Sequence, residues 1–393
     1  VADQVGVTTV IDGEDIPAGT IYRTRATGSF RYDDSYLAHP KAFPLVPALP
    51  LAGGAQSMTP NPFSDSAPDT WGRKVMTRAS GGRTLDDITL LLGVNDFSRQ
   101  GATRFWVDGQ AVSDGDGVPV EAELREILAA ADAIQRGDRD IAEVALRRLF
   151  RATGSLGGAR PKAGVRRGSD LWLVKFPKPH GDEWNVMAWE ATMLDAMSAA
   201  GIDVPDHETR TLTVGGEPRT VLFLKRFDRT VAHTRIPYFS ALTALEARDG
   251  DGGDWLDLAD FTRTNGGDTV ELWRRGVFGH LVGNRDDHLR NHGFLRRGRD
   301  CQLSPAFDVN PTPLADGDAH ELALFGNVAP DLAAWTAGDT LSLFGVKPVQ
   351  VTEFLDATRA ALEKAPQRAS AHGADQNSIA VMESRIENAL ARL

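Results

Sequence analysis

A chain of 393 residues with 41% apolar and 25% charged residues is long enough for two or three cores and has the ordinary composition of a globular protein. Its net charge of −11 argues against a surface given over to nucleic-acid phosphates and leaves room only for a local basic patch. The single cysteine, Cys301, excludes an internal disulfide, and no apolar run approaches the roughly 20 residues of a membrane-spanning helix, so a soluble, cytoplasmic protein without membrane contact is expected.

Taken from the N-terminus, the opening VADQVGVTTV lacks the basic and apolar regions of a signal peptide. Residues 1 to 115 are rich in Gly, Pro and Thr, with short β-like runs such as TVIDGEDI and FRYDDSYL. The recurrent prolines of PKAFPLVPALPLAGG exclude a regular helix there. FSDSAPDTWGRKVMTRAS predicts a helix capped by Asp69 or Ser66, with Trp71, Val75 and Met76 as its apolar stripe. Residues 121 to 150 predict two helices split at RGDRD, the second with Ile141, Val144, Ala145 and Leu149 at helical spacing. A Gly-rich turn, a short hairpin and the strand LWLVKF follow, then a helix over 184–200 and a β-hairpin around GGEP. Beyond residue 226 strand signals nearly vanish and helices are predicted near 258–265, 268–283, 350–364 and 376–392. The order is a β-rich half followed by a helical half, joined near LKRFD.

Four elements along this order could carry chemistry. The turn GSLGGARPK, residues 154 to 162, leaves backbone N–H groups open to an anion, although a plain hairpin turn has the same composition. In the strand, Leu171, Leu173 and Lys175 share one face, and Trp172, Val174 and Phe176 the other. Lys175 therefore either snorkels at an edge or points at phosphates under the turn. Glu190, on the next helix, is either solvated or paired with Lys175. In VGNRDDHLRNHGF, Asp286 and Asn291 stand five residues apart, the spacing of the Asp and Asn in a kinase catalytic loop. A carboxylate there can align a substrate hydroxyl, and a neutral amide oxygen can complete a Mg²⁺ shell without excess charge. Asp308, which follows a short hairpin in GFLRRGRDCQLSP and stands behind Phe307 in LSPAFDVNP, is the natural second metal ligand. Asp287 reads as a neighbour of the loop, and His288 as a hydrogen-bonder rather than a base.

These stretches together resemble the HipA family of serine/threonine kinase toxins. FRYDDSYLAHPKAFPLVPALPL and FSDSAPDTWGRKVM resemble that family's N-terminal subdomain, SLGGARPK its Gly-rich loop, KRFDR its interlobe segment, GNRDDHLRN its catalytic loop and LSPAFDVNP its metal-binding segment. The resemblance implies a bilobed, kinase-like α+β fold. Its parts would be an N-terminal subdomain at 1–115, a small lobe with the Gly-rich loop at 116–226 and a helical large lobe at 227–393. It implies ATP and Mg²⁺ as cofactors, with Asp286, Asn291 and Lys175 as the catalytic set and Asn291 and Asp308 on the metal. The nucleotide would meet Ser155, Gly157, Gly158, Ala159, Lys162, Lys175, Lys225, Phe227, His288 and Asp308, with the backbone around Lys225 to Phe227 facing adenine and Glu190 supporting Lys175. Ser155 would be a self-phosphorylation site whose added charge competes with ATP phosphates for the same amides. The implied partners are a helix-turn-helix antitoxin of the HipB type, operator DNA only through that antitoxin, and a protein substrate such as an aminoacyl-tRNA synthetase. Three departures stand out: Arg160 replaces the family's Gln in the loop, Arg290 replaces its Lys before the catalytic Asn, and Lys225 replaces its interlobe Glu. A small-molecule phosphotransferase and a non-catalytic nucleotide-binding module are the competing readings.

Overall fold

The computed structural model describes residues 3–23, 28–112, 117–138, 141–152 and 160–393. Strands β1 (Gln4–Ile11) and β2 (Glu14–Arg23) pair antiparallel around Asp12 and Gly13, whose left-handed φ values of 52° and 90° make the reversal. FRYDDSYL, expected as one β-like run, divides. Strand β3 (Gly28–Tyr32) ends before Asp33, and helix α1 (Asp34–Leu37) begins. Consecutive aspartates disfavour a strand and suit a helix start. Tyr36 of α1 is then buried, stacks on Tyr32 at 5.5 Å and donates its hydroxyl to the Phe43 carbonyl. Strand β4 (Gln56–Ser57) joins β3 at the sheet's edge.

A single 3₁₀ turn, Ser64–Ser66, leads to helix α2 (Thr70–Ala79). Its cap is Asp69, whose Oδ1 accepts the Gly72 N–H at 2.6 Å, and Trp71, Val75 and Met76 are buried as expected. After α3 (Asp87–Gly93), strands β5 (Arg104–Val107) and β6 (Gln110–Ala111) complete a six-stranded sheet of order β4-β3-β2-β1-β5-β6. Helices α4 (Leu124–Arg136) and α5 (Glu143–Ala152) are the two predicted on either side of RGDRD. The expected stripe of α5 is partly wrong: Leu149 is buried, but Val144 is 61% exposed. The helix starts at Glu143, and its inner face is set by Leu149 and Ala152 one turn apart, which turns Val144 outward.

The small lobe is an antiparallel sheet of β7 (Lys162–Arg167), β8 (Asp170–Lys175), β9 (His207–Val214) and β10 (Glu217–Lys225), in the order β7-β8-β10-β9. Helix α6 (Val186–Ala199) packs against it, capped by the Asn185 side chain accepting from Ala188 N–H. Every residue from Val186 to Leu194 is buried, so α6 is covered on all sides.

The large lobe opens with β11 (Tyr238–Ser240), α7 (Ala241–Ala244) and β12 (Gly253–Asp254). Helices α8 (Trp255–Thr264) and α9 (Thr269–Val282) follow, then β13 (Gly293–Arg297), β14 (Asp300–Leu303) and β15 (Leu322–Ala323). Helices α10 (Leu332–Thr336), α11 (Gly338–Phe344), α12 (Pro348–Leu362), α13 (Ala365–Ala371) and α14 (Gln376–Arg392) end the chain. The four helices predicted in this half are α8, α9, α12 and α14. The hairpin expected in GFLRRGRDCQLSP forms as β13 and β14, and β11, which the sequence does not announce, joins it in a small sheet of order β11-β13-β14 that carries the chain away from the Asp286 loop. Apolar residues of the first sheet, α6, α9 and α12 to α14 belong to one contiguous core, including Phe30, Phe105, Trp189, Trp273 and Phe354.

The segment between the lobes is anchored rather than free. Asp228, 1% exposed, accepts from Arg226 Nε at 2.7 Å, from the Arg229 guanidinium at 2.8 Å and from the Gly101 N–H at 2.7 Å. Arg226 also donates to the Ser98 carbonyl at 2.9 Å. Burial disfavours the Asp228 anion, but Arg226 and Arg229 outweigh it and hold the carboxyl far below the usual carboxylate range. Among the described residues, no helix is long and apolar enough to cross a membrane.

Candidate active site

Helix α9 starts at Asp268, whose side chain caps Val270 and Glu271, and stops at Gly283. Gly283 has φ 66°, and a Cβ there would sit 2.6 Å from Arg385 Cζ, so the turn into the next loop requires glycine. The loop is then fixed by its own amides. Asn291 donates through Nδ2 to the Asp286 carbonyl at 3.0 Å, and Asn284 Oδ1 accepts the Asn310 N–H at 3.0 Å. The second bond ties the Asp286 loop to the segment bearing Asp308, whose backbone is left-handed at φ 61°.

Strand alternation in β8 determines where Lys175 goes. Leu173 packs with Val186, Met187, Ala191 and Leu194 of α6, whereas Val174 and Phe176 pack with α4 and α5. Lys175 shares the face of Leu173 and so meets α6. Its Nζ donates to Glu190 Oε1 and to Asp308 Oδ1, each at 2.6 Å. Burial alone would lower the Lys175 pKa, but the Asp308 and Glu190 carboxylates outweigh it and raise the value, so the ammonium is kept. Burial likewise works against ionised Asp308, yet Lys175 and Lys162 hold its carboxyl well below the usual range. The Glu190 carboxyl is pushed up by burial, with Asp308 adding and Lys175 opposing.

Asp286, His288, Lys162, Lys175, Asp308 and Asn310 line one cleft of about 580 Å³. Partial desolvation pushes the Asp286 carboxyl up; His288 opposes this, and Asp308, Glu321 and Asp287 reinforce it. Asn291 is buried behind the loop and borders a smaller cavity with Phe307 and Asp287. Asp287 faces away from the cleft, 2.9 Å from His292 Nε2. Phe307 lines the cleft and stacks on Phe227 at 5.7 Å. Lys225 is elsewhere: its N–H donates to the Asp206 carbonyl at 2.8 Å and its Nζ pairs with Asp170 at 2.9 Å, beyond the cleft lining. Arg160 forms a bidentate pair with Asp182 at 3.0 and 3.1 Å. Ser155, Gly157, Gly158 and Ala159 lie outside the described residues.

The donors suit a hard divalent cation held with phosphate oxygens. Asp308 offers an ionised carboxylate and Asn291 an amide, oxygen ligands of the type Mg²⁺ takes. Asn310 Oδ1 and Glu190 Oε2 are buried without a hydrogen-bond partner beside them.

Sequence reading missed the contribution of the first 112 residues to this cleft. Asp65, in the 3₁₀ turn, accepts from Ser240 N–H at 2.7 Å and Ser240 Oγ at 2.8 Å, and from Arg290 at 3.2 Å. The second oxygen of the cap residue Asp69 pairs with Lys162 Nζ at 3.1 Å. Asp69 was visible as a cap, but nothing in the sequence shows that a cap oxygen is left over. Asp65 gave no signal, because its partners lie 175 and 225 residues away.

A small sheet lobe bearing a Lys–Glu pair, set over a helical lobe bearing the Asp286 loop and Asp308, is a kinase-like α+β fold. A family model described as HipA-like C-terminal domain matches residues 154–366, and one described as HipA N-terminal domain matches residues 11–96. The chain belongs to the HipA family. It is 29% identical over 222 residues to a Sinorhizobium fredii protein named "Putative kinase Y4dM", and the match spans 52% of each of the two chains, so the chain accounts for about half the length of this curated relative. Its fold is similar to that of the Shewanella oneidensis MR-1 toxin–antitoxin structure of HipA, HipB and operator DNA. The TM-score is 0.69 at 15% identity, covering 98% of this chain and 96% of that one.

Proposed function

We propose that the protein is an ATP- and Mg²⁺-dependent serine/threonine protein kinase, the toxin of a toxin–antitoxin pair. The observation that supports it most is Lys175 held between Glu190 and Asp308, at 2.6 Å from each, in the cleft that Asp286 also lines. A scaffold that only bound a partner would have no use for so costly an arrangement: three buried or half-buried charges repay their desolvation only in good geometry.

Asp308 and Asn291 are the residues that would hold Mg²⁺, and the bound ion would neutralise phosphate charge. Lys175, steadied by Glu190, binds phosphate oxygens through its ammonium. Lys162, fixed by Asp69, adds a second cation on the same wall of the cleft. Asp286 accepts the hydrogen bond of a substrate hydroxyl and aligns its oxygen for in-line attack, taking its proton as the phosphoryl group leaves ADP. Phe227 and Phe307 offer an apolar wall for a base. Positioning and charge neutralisation supply most of the rate in such a reaction.

The partner reading is a helix-turn-helix antitoxin of the HipB type, with operator DNA reached through it. The similarity to the Shewanella complex and the net charge of −11 support it. The substrate reading is a protein, such as an aminoacyl-tRNA synthetase. The test is incubation of the full chain with γ-labelled ATP, Mg²⁺ and a lysate. Label in protein bands is expected; label confined to small molecules would make the protein a small-molecule phosphotransferase instead, and no ATP turnover would make it a binding module. Self-phosphorylation at Ser155 is expected in the same reaction. Mass spectrometry that covers its peptide and finds it unmodified would remove that site.

A further inference from the structure

Outside the cleft lining, three side chains converge from three elements. Asp195 comes from α6, His207 starts β9, and His372 follows the last turn of α13. Asp195 Oδ1 is 3.1 Å from His207 Nε2, and Asp195 Oδ2 is 3.0 Å from His372 Nε2. One donor atom from each residue lies within 4.8 Å of the other two. Ligands at the roughly 2.0–2.1 Å of a tetrahedral zinc shell stand about 3.3 Å apart, so a small contraction would close this set around an ion.

His207 Nδ1 is 3.0 Å from the Pro205 carbonyl, which only accepts, so Nδ1 carries a proton and Nε2, 3.1 Å from Asp195 Oδ1, is the ring atom left to face an ion. The arrangement is also the one that supports a metal ligand: the far ring nitrogen of His207 is tied to a backbone carbonyl, and that of His372 to Thr209 Oγ1 at 3.0 Å, fixing both rings. Among the described residues, the ion partners of Asp195 are these two imidazoles, so no lysine or arginine fills the space.

We propose that Asp195, His207 and His372 bind one zinc-class divalent cation, with water in the open position. Two imidazoles and one carboxylate suit Zn²⁺ rather than the all-oxygen preference of Mg²⁺. The Asp195 side chain is 36% exposed, which gives the ion a path and the water a place. The bound ion clips α6 to the small-lobe sheet and to the C-terminal helices. Helix α6 also carries Glu190, so the clip acts on the element that positions Lys175. The inference does not depend on the kinase reading, since the three ligands stand apart from the cleft.

The experiment uses the full chain stripped of metal, titrated with Zn²⁺ by calorimetry and followed by thermal melting without nucleotide. One equivalent should bind and raise the melting temperature, because an ion that binds only the folded state stabilises it. His207→Gln and His372→Gln should each weaken binding by more than the roughly 10–100-fold lost with a supporting hydrogen bond. Asp308→Asn should leave this binding intact, which separates the site from the cleft, and Mg²⁺ should not compete. Unchanged zinc affinity in the His variants, loss of all binding in Asp308→Asn, or no binding by the parent chain would each overturn the proposal. Should a His variant fail to fold, Co²⁺ on the Asp308→Asn chain decides. Intense visible bands of a low-coordinate nitrogen–oxygen site support the proposal; the pale spectrum of an all-oxygen octahedral ion overturns it.

Discussion

Asp286→Gln folds as the parent does and loses phosphoryl transfer by at least about 10²–10³-fold, the scale expected when a positioned transition-state contact is removed. The fold should tolerate the change because Asp286 contributes little stability of its own. Its carboxyl is pushed up by burial, and the acidic neighbours Asp308, Glu321 and Asp287 repel its charge. A glutamine keeps the side-chain polarity and relieves that repulsion. The loop is held independently, by the Asn291 amide on the Asp286 carbonyl, a backbone contact that the substitution leaves alone. Turnover of labelled ATP and a melting curve, run on the same preparation, check the claim. Parent-like labelling with a parent-like melt would remove Asp286 from the reaction.

The second large effect is on stability. Asp228→Asn should cost about 3–5 kcal/mol, the range for breaking a buried ion pair by removing one partner. Arg226 and Arg229 would be left buried, facing a neutral amide that cannot accept from both guanidinium groups and the Gly101 N–H as a carboxylate does. Chemical denaturation should show the loss as a lower midpoint with little change in slope. The pH dependence follows from the depressed native carboxyl. Its contribution is present in full above the unfolded-state value of about 3.9 and is lost as pH falls through the native value. The parent and Asp228→Asn should therefore converge in stability only in strong acid. A variant with an unaltered midpoint at neutral pH would show that the segment between the lobes is held by other contacts.

Local patterns announced the elements whose chemistry is local. The alternation of LWLVKF put Lys175 on the face that meets α6, and the five-residue spacing of Asp286 and Asn291 is closed by a hydrogen bond between them. The helices with long apolar stripes were legible for the same reason. Short helices such as α1, α10 and α11 were not, since a single turn or two carries too little periodicity to read. Lys225 shows a further limit: its side chain pairs with Asp170 at 2.9 Å outside the cleft lining, which the sequence around it does not indicate. Least legible were Asp65, Asp69 and Asp228. Asp65 and Asp228 look like surface aspartates and Asp69 like a cap with nothing further to bind, and each is tied to a cation or amide from a distant part of the chain.

Those long-range aspartates bear on how the chain can be cut. The first 112 residues look detachable when drawn as a separate sheet, yet they donate the counter-ions of Arg290 and Lys162. An excised two-lobed fragment would leave Lys162 without its Asp69 counter-ion at the cleft, Arg290 with Asp249 alone, and Ser240 without its Asp65 acceptor. The half that carries the cleft therefore depends on the leading half, and joining the two from different relatives would restore these contacts only when both aspartates travel together.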